Sequence, residues 1–446
     1  MTALALPSCA QLTLEQAVSQ AMNQYPGVRA SLEQVSAAAA GINLARTSYL
    51  PRVDFAAQVN RGTHNNVFGL LLPQPVISSI SGPVLRTNSL DNVWGTAVGV
   101  LVSWEPFDFG LRRANVEAAQ SARDRASSTV AVSRLQAGVG AADAFLTIHA
   151  AQQTVIAARA GVERARTLSE SVNVLVKNEL RPGAEASRAK AELALAQTQL
   201  IQAEQAVEVG RAALAQLLGV PPADADVARG PWLELPREPD TTAANLSRHP
   251  LAVAQNAAVD EVKAREKALD RSYFPRFNLQ GTTFARGTGI QPDGSTGGAA
   301  SGLGPNIQNW AVAMSVTFPA LDLPSLRARK EVEHFHERAE AARYAQIVQD
   351  LTGEIEKAKA ELRGAERIAQ NTPVQLEAAR ATEQQAAARY KAGLATIVEV
   401  AEAERILTQS EIDDALAKLS VWRAILHLTA ALGDLEPLLA LARQGS

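Results

Sequence analysis

The chain has 446 residues, of which 47% are hydrophobic and only 4% aromatic, and its formal net charge is −3. It lacks the basic field that nucleic-acid-binding domains use, so we expect no nucleic-acid partner. Its single cysteine, Cys9, excludes an intramolecular disulfide framework and a cysteine-based zinc site. We find no run of about 18 apolar residues, which predicts no transmembrane helix. The shorter strands of a membrane barrel would escape such a search.

Residues 1–11 are predicted to form a separate N-terminal segment. The segment is apolar, but it is too short for a secretory signal and lacks the basic residues with which such signals begin. The run Leu6-Pro7-Ser8-Cys9 weakly resembles a lipoprotein cleavage site, although proline is unusual there. We therefore expect a signal remnant or a lipoprotein-like start, with Cys9 either lipidated or an ordinary thiol.

The sequence contains an internal duplication, which should be sought before other features. Tyr25-Pro26 opens a helical segment that closes at Ser48-Tyr49-Leu50-Pro51. His249-Pro250 opens a second segment, which closes at Ser272-Tyr273-Phe274-Pro275 with the same spacing between its two prolines. Matching pairs continue to the end of each half, so the duplication involves the whole chain.

We therefore predict two structural repeats, residues 12–240 and 241–446, each in the order helix, strand, loop, strand, long helix, turn, helix. The first long helix, Arg113–Val176, contains no proline and is rich in Ala, Gln, Glu, Arg and Leu, which favour helices. A helix of that length spans on the order of 100 Å and must lie against other helices. The second, Ser325–Ala392, contains Pro373, which predicts a kink.

Shorter helices are predicted to stack end to end beside each long one, which makes the fold mainly α with long antiparallel coiled coils. Apolar residues recur every seven positions in the last helix of the first repeat, a spacing that favours coiled-coil packing. Asp414 breaks the equivalent seam of the second repeat. The predicted shorter helices are Thr13–Ser48, Glu185–Leu218, Ala244–Ser272 and Ile397–Leu432.

After Pro51 and Pro275 the hydrophobic period changes from that of a helix to that of a strand, with apolar and polar residues alternating. Each run is about 10 residues long, enough to cross a bilayer as a tilted barrel strand. Trp104, Trp310 and Phe318 are candidates for interfacial aromatic girdles. The predicted strand segments are Val53–Asn60, Val98–Trp104, Phe277–Gln280 and Trp310–Phe318, with long loops at His64–Asn92 and Thr288–Gln308.

Four strands per chain would leave two open edges, which lipid does not tolerate. Strands in a membrane would therefore require several chains to share one barrel, and three chains would supply about 12 strands. The alternative is a soluble or periplasmic coiled-coil scaffold protein with a small β-sheet. The two hypotheses differ in what covers the apolar sides of Val98–Trp104 and Trp310–Phe318.

In this order, the motifs resemble those of the TolC-like outer membrane efflux proteins, over nearly the whole chain from Leu12 to Leu439. The resemblance implies a homotrimer with a 12-stranded barrel in outer-membrane lipid and a helical tunnel through the periplasm. It also implies an equatorial belt formed by Pro221–Asp240 and the C-terminal tail. The motifs are Leu12-Thr13-Leu14-Glu15-Gln16-Ala17, Tyr25-Pro26, Ser48-Tyr49-Leu50-Pro51, Ala388-Arg389-Tyr390-Lys391-Ala392-Gly393-Leu394 and Thr396-Ile397-Val398-Glu399-Val400.

The implied function is that of a passive exit duct in a tripartite efflux or type I secretion system. A periplasmic adaptor protein would open the duct at its periplasmic tip, and an inner-membrane pump of the RND or ABC type would supply energy and specificity. The resemblance implies that the two helix turns dock with the adaptor, whereas the simpler interpretation is that they are plain turns in a bundle. The candidate docking residues are Leu180, Pro182, Gly183, Gly393, Leu394 and Thr396.

Glu399 and Glu402 match two acidic residues that line the narrow entrance of such channels, where aspartate is more usual. Three residues apart, they share a helix face, and a trimer would stack them as two carboxylate rings. The alternative is an ordinary solvated face. Tyr390 matches a tyrosine that latches the closed state, but a nearby basic position of the family pattern is Ala395 here, so the chain departs from the latch pattern at that position.

No nucleophile elbow, phosphate-binding loop or zinc motif is found in the sequence, so we expect neither enzymatic activity nor a cofactor. His334 and His336 lie in an acidic stretch. Residues two apart point to different sides of a helix, and we therefore expect a hydrated surface there rather than a metal site.

Overall fold

The computed structural model describes residues 11–63, 65, 88–237, 245–291 and 293–444. Cys9 and most of the predicted loop from His64 to Asn92 lie outside these ranges. The α-helices and β-strands among the described residues are α1 (Leu14–Gln24), α2 (Pro26–Thr47), β1 (Arg52–Thr63), β2 (Asn92–Phe107), α3 (Leu111–Lys177), α4 (Gly183–Leu218), α5 (Pro250–Arg271), β3 (Arg276–Thr288), β4 (Ile307–Thr317), α6 (Leu323–Lys391), α7 (Ile397–Leu432) and α8 (Glu436–Gln444).

The predicted order of helices and strands is confirmed in both halves, but the first predicted helix is two helices. Tyr25 has extended backbone angles, with φ −56° and ψ 130°, and separates α1 from α2. The reason is Pro26, whose ring disfavours helical geometry at the residue before it and favours the first position of a new helix. Thr13 begins α1 as the N-cap of a capping box with Gln16.

By its internal contacts the chain divides into two compact units, and each draws on both halves of the sequence. The helical unit takes in Met1–Val35, Ala126–Asn256 and Ala342–Ser446. The sheet unit takes in Ser36–Arg125 and Ala257–Ala341.

Apolar residues of α3, α4 and α7 fill the core of the helical unit, where Phe145, Leu214 and Trp422 are fully buried. The Trp422 indole N–H donates a hydrogen bond to the carbonyl of Glu234, 3.1 Å away, so its polar atom is satisfied within the core. A Cβ added at Gly210 would lie 3.0 Å from Ile148 Cγ1, and this close approach of α3 and α4 explains a small residue in the α4 seam.

Asp414 breaks the apolar seam of α7 because it has two polar partners. Its carboxylate accepts a hydrogen bond from Thr372 Oγ1 at 3.0 Å and pairs with Lys418 Nζ at 2.8 Å. The helix α6 continues through Pro373, directly beside Thr372. A polar contact between α6 and α7 therefore lies where proline removes one backbone donor from the helix.

One described helix, α7, is long and apolar enough to cross a membrane by length and composition, contrary to the expectation from sequence. Its 18-residue window has a mean hydropathy of 1.3, and 56% of that window is buried inside the structure. A buried helix of a soluble core passes the same test, so the finding is weak support for a membrane span.

The sheet unit contains a four-stranded antiparallel sheet in the order β1-β2-β3-β4. At the corner between β2 and α3, the buried Asp108 carboxylate accepts hydrogen bonds from the Arg112 backbone N–H at 2.6 Å and from its Nε at 2.9 Å. The same guanidinium donates to the Ser48 carbonyl and lies 4.9 Å from the centroid of the Tyr49 ring. One arginine thus fixes the end of the α2 segment against the start of α3.

Candidate functional site

One face of the sheet is apolar and exposed. On β1, Phe55 is 82% exposed, and on β4, Trp310 and Met314 are 78% and 68% exposed, whereas the alternate residues Ala311 and Ala313 are partly buried. The apolar sides of the strands are therefore not covered by the described part of the chain. This is the alternation of a strand whose apolar side faces lipid.

The exposed apolar face extends across the sheet, because the strand register places apolar residues of β1 and β2 opposite one another on the same face. Val53 lies opposite Val102, and Phe55 lies opposite Val100. Within the described residues, β1 and β4 each have only one neighbouring strand, so both edges of the sheet are open. The opposite face carries polar side chains among small ones: Asp54, Gln58, Asn60, Asn278, Gln280, Thr282, Asn309 and Ser315.

An aromatic cluster at the helix-proximal end of the sheet was missed from sequence. The rings of Phe107 and Phe109 lie 4.7 Å apart, and Phe109 stacks on Phe274 at 5.4 Å. Phe277 contacts both Phe107 and Phe109. The sequence signal that could have predicted the cluster is the presence of phenylalanines at the end of β2 and beside the start of β3. Aromatic rings at this position are typical of the boundary of an apolar layer.

In the helical unit, the turn between α3 and α4 and the turn between α6 and α7 have the same backbone design. The amide of Leu180 donates to the carbonyl of Leu175, and that of Leu394 donates to the carbonyl of Arg389. These bonds close each helix in the manner of a Schellman motif. Gly393 has φ +75°, as the motif favours, whereas the equivalent Glu179 adopts φ +59° without being glycine.

The predicted docking residues lie at these turns. Leu180 is 66% exposed and Leu394 is 71% exposed, although both are large and apolar. Pro182 is the N-cap of α4, with Gly183 as its first residue, and Thr396 is the N-cap of α7. Each turn therefore combines a structural cap with one exposed leucine.

Tyr390 joins the two turns. Its side chain is only 5% exposed, and its hydroxyl donates a hydrogen bond to Glu185 Oε2 on α4 at 2.9 Å. The Arg181 guanidinium lies 4.8 Å from the ring centroid, and its Nη1 is 3.7 Å from Glu185 Oε1. The family pattern has a basic residue at the position of Ala395. In this chain the basic group beside Tyr390 is instead the Arg181 guanidinium, which comes from the other turn.

Burial and the neighbouring Glu185 carboxylate raise the pKa of the Tyr390 hydroxyl to about 12. The phenol therefore stays protonated at neutral pH and remains a hydrogen-bond donor. Val172 on α3, Ala189 on α4 and Ile397 on α7 pack in the same apolar cluster. We call Tyr390, Arg181 and Glu185 the turn triad.

Glu399 and Glu402 are exposed on α7, but each carboxylate has a partner within its own chain. Glu399 Oε1 accepts hydrogen bonds from the Thr396 backbone N–H and hydroxyl, both at 3.2 Å, which completes a capping box. Glu402 forms a two-pronged ion pair with Arg405, with N–O distances of 2.6 and 2.9 Å. Hydrogen bonding to Arg405 lowers the pKa of Glu402, so it stays charged.

Glu404, two residues further on, is the acidic residue that sequence reasoning missed. It lines a cavity of about 120 Å³ with Glu192, Arg405 and Thr408. Burial, and then the negative charge of Glu383, raise the pKa of Glu404 to about 7. Glu192 adds to this shift and Arg164 opposes it. Nothing in the sequence distinguishes this buried acid from the exposed Glu402.

Glu404→Gln is expected to stabilise the protein above pH 7 and to change little near pH 5. Below its ordinary pKa of 4.5 the carboxyl is protonated both folded and unfolded, so it contributes no difference. Between pH 4.5 and 7 the carboxyl ionises in the unfolded chain but stays protonated in the folded one, so the destabilisation grows through this window and levels off above pH 7 at up to about 3 kcal/mol. Thermal unfolding of both proteins at pH 5 and 8 measures the effect.

Glu402→Gln serves as the control, because its exposed carboxylate has a lowered rather than a raised pKa. It should show no stabilisation at pH 8. Equal melting temperatures of Glu404→Gln and the parent protein at both pH values would contradict the assignment of a buried acid.

Comparison with known proteins supports the arrangement of sheet and turns. A model of the outer membrane efflux protein family matches residues 17–220 and 243–434. The chain is 22% identical over 430 residues to nodulation protein T of Rhizobium leguminosarum bv. trifolii, covering 93% of this chain and 85% of that protein. It is 23% identical over 437 residues to the pyoverdine export outer membrane protein OpmQ of Pseudomonas putida, covering 94% and 85%.

The structure of the CmeC outer membrane channel of Campylobacter jejuni superposes with a TM-score of 0.74 at 15% identity, covering 94% of this chain and 85% of that one. The fold of long helices with a small antiparallel sheet is thus that of known outer-membrane channels. The family match covers both halves of the chain, and the family is one of transport channels rather than enzymes. The chain therefore belongs to the outer membrane efflux protein family and is an outer-membrane efflux channel with a helical periplasmic part.

Proposed function

We propose that three copies of this chain pool their sheets into one membrane barrel and act together as a passive exit duct. The observation that carries the proposal is the exposed apolar face of a sheet with two open edges. Three four-stranded sheets would supply about 12 strands, enough to close a barrel around a water-filled lumen. Closure would pair every edge, as lipid requires.

The periplasmic end of the duct consists of the two helix turns, which dock with a periplasmic adaptor protein. Support comes from the two leucines, Leu180 and Leu394, which are 66% and 71% exposed and so offer apolar surface at the turns. Family members work in tripartite systems, in which the adaptor connects the channel to an inner-membrane pump. For this chain the pump is of the RND or ABC type, and it supplies the energy that a passive duct lacks.

Glu399 and Glu402 form two carboxylate rings at the periplasmic entrance of the trimer. Both side chains are exposed on one face of α7, and their pairing with Thr396 and Arg405 holds them in fixed rotamers. Rings of like charge at a narrow entrance attract cations and repel anions. The turn triad latches the same end by tying α6 to α4.

Glu399→Gln is expected to lower the cation selectivity of the channel severalfold without weakening α7. Glutamine serves the capping box as well as glutamate, as Gln16 does for Thr13 in α1. The substitution therefore removes one ring of charge and leaves the helix start intact. Reversal potentials of purified protein in planar bilayers under a salt gradient measure the change.

Glu399→Asp is the matched control, because it retains the charge and should retain the selectivity. An unchanged cation selectivity in Glu399→Gln would show that Glu399 does not line the entrance. Absence of any conductance from the parent protein would contradict the duct itself.

A further inference from the structure

A group of potential metal ligands lies in the sheet unit, away from the residues assigned to the duct. Glu266 on α5 and His334 and Glu337 on α6 place one ligand atom each within 4.8 Å of one another. His334 and Glu337 are three residues apart and so share a helix face. Sequence reasoning considered His334 with His336, but the structure groups His334 with the two glutamates instead.

The surroundings of this group attract positive charge. Lys330 Nζ lies 3.9 Å from Glu266 Oε1, although its closer partner is Asp270 at 2.6 Å. Lys330 is therefore within hydrogen-bond distance of Asp270 but not of Glu266. The buried Oε2 of Glu333 accepts no hydrogen bond from a described residue and forms an ion pair with Arg265 at 3.9 Å.

We propose that Glu266, His334 and Glu337 bind a divalent cation of the zinc class. One imidazole with two carboxylates suits zinc and its first-row neighbours, whereas calcium and magnesium prefer oxygen ligands alone. In a tetrahedral zinc site with bonds of about 2.1 Å, ligand atoms are about 3.4 Å apart. The three ligand atoms now lie within 4.8 Å of one another, on side chains that are exposed or half-buried.

The cation joins the two helices that flank the β3–β4 hairpin. The helix α5 ends at Arg271, shortly before β3, and α6 begins at Leu323, shortly after β4. A ligand from each side therefore cross-links the base of the hairpin, and binding stabilises the folded chain by an amount that grows with the logarithm of the zinc concentration above the dissociation constant. The fourth coordination position stays open to water, as it does in zinc sites with three protein ligands.

The test is a zinc titration of the purified full-length protein without a histidine tag, with a chromophoric chelator as competitor. We expect one site per chain that His334→Ala weakens by about tenfold or more, as loss of a ligand should. Glu337→Gln, which is nearly isosteric, should weaken zinc binding comparably and guards against a folding defect in the first variant. Cobalt(II) absorption in the visible range should report the same ligand set.

His336→Ala is the matched control, since His336 lies two residues away on the same helix and is absent from the ligand group. It should bind zinc as the parent protein does, and zinc should raise the melting temperature of both. Equal zinc affinity of the parent and His334→Ala would overturn the proposal. So would an equal loss in His336→Ala, which would indicate adventitious binding to exposed histidines.

Discussion

Val312→Lys is expected to abolish the membrane-inserted oligomer. Val312 is 67% exposed on β4, on the same face as Trp310 and Met314. A lysine on the lipid face of a barrel costs about 2–4 kcal/mol near the bilayer midplane. Three copies would each carry this cost in one assembly, and β4 is also the strand that must pair with a neighbouring chain. The amount of detergent-extracted, heat-modifiable oligomer in outer-membrane fractions measures the effect.

Ala311→Lys provides a control at the adjacent residue. Ala311 is partly buried and lies on the opposite face, where its register partner is the polar Thr282. In the barrel this face lines the lumen, which tolerates charge, so the variant should still form the oligomer. Equal loss in both variants would indicate a general intolerance of lysine in β4, and equal survival would mean that the apolar face does not contact lipid.

Tyr390→Phe is expected to raise the passive conductance of the channel. The substitution removes the hydroxyl that donates to Glu185 and leaves the carboxylate with Arg181 alone. A hydrogen bond to a charged group contributes about 1.5–3 kcal/mol, which corresponds to tenfold or more in a closed-to-open equilibrium for each chain. Single-channel recording in planar bilayers measures the open probability.

Glu185→Gln weakens the same contact without removing it, because the amide oxygen still accepts a hydrogen bond from the Tyr390 hydroxyl but carries no charge. Its open probability should fall between those of the parent and Tyr390→Phe. Both variants should keep the circular dichroism of the parent protein, since the ring of Tyr390 still packs against Val172 and Ile397. Unchanged conductance in correctly assembled Tyr390→Phe would show that the turn triad is structural only.

The larger elements could be predicted because their signals are local. Composition and the absence of proline predicted the bounds of α3 to within a few residues. The alternation of Trp310, Val312 and Met314 with small residues predicted β4 and its apolar face. The break at Tyr25 was also visible in the sequence, where Tyr25-Pro26 opens a helical segment, although the predicted helix Thr13–Ser48 ran through it.

The partners of individual side chains could not be predicted, because they come from distant parts of the chain. Arg181 reaches Tyr390 across 209 positions, and Thr372 meets Asp414 across 42. Nor does the sequence separate the exposed Glu402 from the partly buried Glu404, since burial depends on how α7 packs against its neighbours. The resemblance of motifs singled out Tyr390 as a candidate latch residue, but it did not single out Arg181, whose guanidinium lies over the Tyr390 ring.

The central claim is that sheets from separate chains share one barrel, and disulfide formation between β1 and β4 tests it most directly. The strands are separated by two others, so they lie about 14 Å apart within one chain, too far for a disulfide. With Cys9 replaced by serine, one cysteine placed on β1 and one on β4 should give covalent trimers on oxidation for the pairs in register. Only monomers, at every register tested, would contradict the shared barrel.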